Sequence, residues 1–203
     1  MKILPILILL VLGACKHNNQ DTEPKVETVV SYSPQKQANE VVNAEPKTRV
    51  IDHEPVAEFP FNIILKDVDG NVKNSNEVFK KNGKPTVLFF WLTTCAPCHA
   101  KLNAIKPLYP EWIKEADFNA YAISGDYSKN YQKFVDQTKK KNWEWETYND
   151  VNRGFREILP GGLNGYPQTF IFDKDGKLVY QDKKYKRGDE VRLFETIKGI
   201  CKA

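Results

Sequence analysis

No stretch of this chain is apolar for the roughly 20 residues that a bilayer crossing takes. The longest such run, Ile3 to Leu12, is too short, so no helical bilayer span is expected. Cysteine is scarce, four in 203 residues, and only Cys95 and Cys98 are closely spaced. A structural zinc site, which needs about four ligands and commonly two such pairs, is excluded with it. Methionine occurs only as Met1, and histidine only as His17, His53 and His99. A dominant charge is also lacking, since 30 Lys and Arg against 26 Asp and Glu leave a formal charge of +4. The densest basic runs, Lys139-Lys140-Lys141 and Lys183-Lys184 with Lys186-Arg187, have no stacking aromatics in register. They read as solvated loop and helix ends, and no nucleic-acid partner is expected.

What is present is a hydrophobic, β-rich run, Val87 to Leu92, that breaks into Thr93-Thr94-Cys95-Ala96-Pro97-Cys98-His99 and then into a helical pattern. Residues three apart on a helix have Cβ atoms about 5–6 Å apart, within relaxation distance of a disulfide. Pro97 suits the first helical turn, where its missing N–H costs nothing. Cys95 then lies just outside a helix N-terminus, facing unpaired N–H groups and the positive end of the helix dipole, which favour thiolate over thiol. Cys95 is the candidate nucleophile. Cys98, one turn inside, is the candidate resolving thiol.

The same residues admit rival readings. Cys95-Ala96-Pro97-Cys98-His99 also satisfies the C-x-x-C-H pattern of covalent c-type haem attachment, with His99 as proximal ligand. Met1, His17 and His53 are poor candidates for a second axial ligand, because they lie outside the segment that carries core residues. A blander reading makes the two cysteines buried and inert, and His99 a surface residue of the helix.

At the start, Lys2, the apolar run and Gly13-Ala14-Cys15 have the order of an export signal. Leu12-Gly13-Ala14-Cys15 resembles a bacterial lipobox, which implies lipidation of Cys15 as the first mature residue and a membrane-anchored, oxidising, extracytoplasmic location. From Lys16 to about Pro55 the composition is Lys, Glu, Gln and Asn with scattered Pro, one aromatic (Tyr32) and no Gly. Such a segment buries too little apolar surface to offset ordering entropy. The expected organisation is a signal over 1–14, a lipidated Cys15 and tether over 15–55, and one domain over 56–203.

Within that domain, 62–65 and 71–72 around Asp67-Val68-Asp69-Gly70 predict a hairpin. Pro85 to Leu92 and 119–124 predict buried strands, and Tyr127 to Lys139 a helix with Tyr131, Phe134 and Val135 on one face. Pro107 and Pro110 should kink or split the helix after Cys98. Trp143, Trp145 and Thr147 alternate with Glu144 and Glu146, a period of two that predicts a strand. Val151, Phe155, Ile158 and Leu159 mark a short helix. Gln168 to Phe172 and Lys177 to Gln181 flank a second hairpin turn, and Asp189 is read as the cap of a last helix. The class implied is α/β, a mixed central sheet with helices on both faces.

Phe90-Trp91 before Cys95-Ala96-Pro97-Cys98, followed some seventy residues on by Gly165-Tyr166-Pro167-Gln168-Thr169-Phe170-Ile171-Phe172-Asp173, resembles the thioredoxin-fold oxidoreductases, and the lipobox with its tether resembles their membrane-anchored TlpA and ResA branch. The resemblance implies a thioredoxin-like fold over nearly all of 56–203. It implies a cis Pro167 beside the dithiol, with Gly165, Tyr166 and Pro167 forming a substrate groove. Gly161, Gly162 and Gly165 would leave its approach flexible. It further implies protein disulfide or dithiol substrates, a membrane electron donor, a monomer, and neither cofactor nor metal. Two positions depart from the family pattern. Phe89 stands where thioredoxins bury an Asp, and Lys101 where ResA-type reductases often carry Glu. Lys101 could bring its ammonium to the dithiol or extend into water. A peroxiredoxin reading is disfavoured by Leu92, which occupies the place of the Thr three residues before a peroxidatic cysteine. Cys201 is expected to pack beside Ile197 and Ile200. A redox-silent module binding extended peptides is the remaining alternative on this fold.

Overall fold

The computed structural model describes residues 58–203. The expectations for the export signal, Cys15, the tether, His17 and His53 lie outside the described residues. Among the described residues, no helix is long and apolar enough to cross a membrane.

The fold is organised on β3 (Thr86–Trp91), in which every residue is buried. Successive side chains of a strand point to opposite faces. Val87, Phe89 and Trp91 therefore enter one core, and Leu88 and Phe90 the other. That two-sided burial is why the run shows no polar alternation. β4 (Asn119–Ser124) pairs parallel to β3, and β6 (Gln168–Phe172) pairs antiparallel on its other side. β5 (Glu146–Asp150) lies parallel to β4, β1 (Ile64–Lys66) antiparallel to β5, and β2 (Val72–Asn74) and β7 (Leu178–Lys183) form the two edges. The sheet order is β2-β1-β5-β4-β3-β6-β7.

α2 (Ala96–Ile105) and α3 (Tyr109–Glu115) connect β3 to β4, and α4 (Tyr131–Lys141) connects β4 to β5. Both crossovers step in the same direction along the sheet, so right-handed connections place their helices on the same face. Leu102, Ile105, Trp112 and Phe134 accordingly share one core with Leu193, Phe194 and Ile197 of α6 (Asp189–Lys202). The opposite face is covered by two single turns, α1 (Ser75–Val78) and α5 (Phe155–Ile158), over a core rich in phenylalanine. Phe61 meets Phe155 edge-on and Phe59 stacks on Phe172. Each such buried side chain contributes roughly 1.5–3 kcal/mol.

The thioredoxin-like class and the helices on both faces agree with the sequence reading, and three local readings need correction. Asp189 is the first helical residue of α6, with Gly188 as its cap. Asp189 accepts from the Lys186 N–H instead. The alternation from Trp143 is burial without pairing, and the ladder starts only at Glu146. Trp143 and Trp145 are held by their rings, stacked on one another with Trp143 edge-on to Trp91. The helix predicted from Tyr127 begins at Tyr131, after a 3₁₀ turn over Ser128–Asn130.

Candidate functional site

β3 ends at Trp91, whose carbonyl accepts from the Gly125 N–H just past β4 (3.0 Å). The loop that follows therefore leaves the sheet at the carboxyl ends of two parallel strands. Asp126, itself buried, holds that loop. Its Oδ2 accepts from the Thr93 N–H (2.8 Å) and the Ser124 hydroxyl (2.7 Å), and its Oδ1 from the Thr93 hydroxyl (2.9 Å). Asn149 Nδ2 donates to the Asp126 carbonyl from β5 (3.1 Å).

The chain then turns, the Cys95 N–H donating to the Leu92 carbonyl (3.1 Å), and α2 starts. Cys95 is its N-cap in extended conformation, and the sulfur accepts from the Cys98 N–H at 3.2 Å. Pro97 sits in the first turn. Cys95 and Cys98 are joined by a disulfide, their Cα atoms 5.2 Å apart. Cys95 is half-buried and Cys98 has no exposed surface. A sulfur at a helix start, accepting a backbone N–H, is favoured as an anion.

The neighbours of the pair come from three elements. His99 turns its imidazole back, Nε2 lying 3.0 Å from the Thr93 carbonyl and the ring edge-on to Trp91. With Cys98 sealed in the core and joined to Cys95, the set does not fit covalent haem attachment, which requires both sulfurs outward and free to bond the porphyrin. Phe89, two residues before Trp91, faces the same core as Cys98. Lys101 neither reaches into water nor lies on the surface. It is 3% exposed, donates to Thr169 Oγ1 at 2.7 Å, and lies 3.6 Å from Asp182 Oδ2. Burial pushes its pKa below the ordinary lysine value, opposed by Asp182.

Gly165, Tyr166 and Pro167 approach from the opposite strand. Phe90 is registered against Gln168, so Pro167 arrives at the level of Trp91, the end of the sheet from which the dithiol loop departs. The Tyr166–Pro167 bond is cis. The Pro167 carbonyl is taken by the Lys184 N–H (3.0 Å), whereas neither backbone group of Tyr166 is hydrogen-bonded among the described residues. The Tyr166 ring is half-buried between both cores, its hydroxyl close against Gly125. Burial raises the Tyr166 pKa, with Arg153 opposing. The glycines before it form defined turns, with the Gly162 N–H donating to the Leu159 carbonyl (3.0 Å) and the Gly165 carbonyl accepting from Gln168 Nε2 (2.8 Å).

Away from the dithiol, Cys201 is half-buried and donates to the Asp117 carbonyl at 3.6 Å, burial raising its thiol pKa. Asp126, Asp182 and Gly125 have no motif that marks them in the chain. Ser124-Gly125-Asp126 at a strand end was the only available signal.

The AhpC/TSA family matches residues 55–181. Thiol-disulfide oxidoreductase ResA of Bacillus thuringiensis (strain Al Hakam) is 31% identical over 121 residues, 59% of this chain. That match spans 65% of the Bacillus protein, just under two thirds of its length. Among solved structures, an uncharacterized thioredoxin-like protein from Porphyromonas gingivalis superposes with a TM-score of 0.60 at 30% identity, covering 70% of this chain and 91% of the other. A putative thiol:disulfide interchange protein DsbE from Chlorobium tepidum superposes at 0.58 with 19% identity, over 73% of this chain and 98% of that one, a likeness of fold. With a family match over more than half of its length and a solved relative covered almost end to end, this chain belongs to the AhpC/TSA family and has a thioredoxin-like fold.

Proposed function

We propose that the protein is an extracytoplasmic thiol-disulfide oxidoreductase, anchored through a lipidated Cys15 after removal of 1–14, carried on a tether over 15–55, and reducing disulfides of exported proteins. The observation that carries this reading is the asymmetry of the pair, Cys95 capping α2 at the surface and Cys98 sealed one turn inside.

In the reduced protein the Cys95 thiolate attacks one sulfur of a substrate disulfide. A mixed disulfide forms, and the departing substrate sulfur leaves as a thiolate and takes a proton from water. Cys98 then loses its proton and attacks the Cys95 sulfur. The bond from Cys95 to the substrate breaks, the second substrate sulfur leaves reduced, and the Cys95–Cys98 disulfide remains. Two electrons have passed from dithiol to substrate, and a membrane dithiol donor restores them. The free backbone groups of Tyr166 are suited to pair with an extended substrate strand, beside Pro167 and Gly165.

The test is a trap. Cys98→Ser should accumulate proteins disulfide-bonded to Cys95, which mass spectrometry identifies, and Cys95→Ser should abolish insulin reduction. Preferential alkylation of Cys98 over Cys95 at neutral pH, or insulin reduction that survives Cys95→Ser, would refute these roles.

A further inference from the structure

The buried face of α2 is formed by Cys98, Lys101, Leu102 and Ile105, the i, i+3, i+4, i+7 spacing of a core-facing stripe. A lysine in that stripe loses its hydration, and burial of a charge persists only where partners replace the water. Lys101 has two, Thr169 Oγ1 at 2.7 Å and Asp182 Oδ2 at 3.6 Å. Thr169 is registered opposite both Phe89 of β3 and Asp182 of β7. The ammonium is thus tied to the sheet beneath the helix that carries the dithiol. Asp189 and Arg192, at the start of α6, are the other charged groups that act on it. Burial and Arg192 oppose its charge, while Asp182 and Asp189 favour it. A carboxylate at salt-bridge distance is the arrangement that keeps an amine protonated.

Cys98 precedes Lys101 by one turn on this same face, with no exposed surface. Residues so spaced have Cβ atoms about 5–6 Å apart. Because both groups are out of bulk water, the field of the ammonium at the sulfur is weakly screened.

We propose that Lys101 is a positioning residue for the second half of the exchange, its anchored ammonium lowering the cost of ionising the sealed Cys98 thiol so that Cys98 attacks the mixed disulfide near neutral pH. The proposal rests on the dithiol-exchange reading above. In this step the Cys98 proton passes to solvent, the Cys98 sulfur bonds to the Cys95 sulfur, and the substrate sulfur leaves as thiolate with the electron pair of the broken bond. The substrate disulfide is the only oxidant required. Lys101 itself touches neither substrate nor the bond being exchanged, and Asp182, of opposite sign, works against it.

Thiolate absorbance tests this without a substrate. In full-length Cys95→Ser protein, titration is recorded as the difference from Cys95→Ser/Cys98→Ser, which cancels Cys201. Adding Lys101→Met should raise the Cys98 midpoint by about one pH unit or more, whereas Lys101→Arg, which keeps the charge, should leave it near the wild-type Lys101 value. In protein with both cysteines, release of substrate from a preformed mixed disulfide on Cys95 should slow about tenfold at pH 7 in Lys101→Met and recover as pH is raised, because one unit of thiol pKa is a tenfold change in thiolate. Superimposable titrations overturn the proposal, as does slowing by the same factor at every pH, which marks a packing role. If Lys101→Met does not fold, Lys101→Gln, which keeps a donor for Thr169 without the charge, takes its place, and an unmoved midpoint overturns the proposal. Shifted midpoints together with failure to form any mixed disulfide would instead sustain the coupling and reject the exchange reading.

Discussion

Replacement of Asp126 by alanine should cost the domain about 3–5 kcal/mol, a third or more of the roughly 5–15 kcal/mol that holds a domain of this kind folded. The side chain accepts three hydrogen bonds, from the Thr93 N–H, the Thr93 hydroxyl and the Ser124 hydroxyl. Asp126, Thr93 and Ser124 are all buried, so water does not substitute at once for the lost acceptor. A buried donor left without a partner costs about 1–3 kcal/mol. The two hydroxyls rotate toward other acceptors, but the Thr93 N–H is fixed by the chain, and the three losses share one relaxation, so the sum is less than three full penalties. Urea unfolding followed by tryptophan fluorescence reads the effect. With a slope of about 2 kcal/mol/M the midpoint should fall by roughly 2 M, the slope itself unchanged. Thr93→Val, which removes only the hydroxyl bond, should cost about 1 kcal/mol. The loop so loosened is the one that presents Cys95, so the alkylation rate of reduced Cys95 at pH 7 should change with it. An Asp126→Ala midpoint within about 0.5 M of wild type, or a Thr93→Val loss equal to that of Asp126→Ala, would refute the clamp.

Gly125→Ala should push the Tyr166 ring from its place, since the added Cβ would collide with its hydroxyl oxygen and stand 2.9 Å from Cζ. A loss of about 1–3 kcal/mol is expected, partly recovered by Tyr166→Phe, and an unchanged urea midpoint would show that the ring yields freely. Burial raises the Asp150 pKa from 3.8 to about 6, against the bonds that it accepts from the Gly154 and Phe155 N–H groups. A raised folded-state pKa means that stability from this group is fully present below about pH 4 and is lost as pH rises through 6, a change of about 3 kcal/mol. Relative to Asp150→Asn, the wild-type urea midpoint should therefore fall between pH 4 and pH 8, whereas parallel curves would contradict a raised pKa. Cys15→Ala should move the protein from the membrane fraction to the soluble one with insulin reduction retained, and persistence in membranes would count against the lipid anchor.

Local rules made part of this molecule legible in one dimension. Two cysteines three residues apart, with Pro97 between them and an apolar run before them, specify strand, turn and helix start from backbone sterics and capping alone. The unbroken burial of β3 was readable because a strand covered on both faces has no polar alternation to offer. The break after α2 follows from Pro107 in the same way, and Pro110 falls in the first turn of α3, where its missing N–H costs nothing. The partners around the dithiol belong to another order of information. Thr93 meets Asp126 across 33 residues and Lys101 meets Thr169 across 68, contacts that exist only because β4 and β6 flank β3 in the sheet. Trp143 and Trp145 carry a strand's alternation without its hydrogen bonds because their rings already have a core to fill. Periodicity reports which side of an element is dry, whereas the identity of the group across that dry space is set by strand order and register. Along the chain Lys101 could either bring its ammonium to the dithiol or extend into water, and tertiary structure makes it a buried cation, because only the assembled sheet supplies the hydroxyl and carboxylate that replace its water.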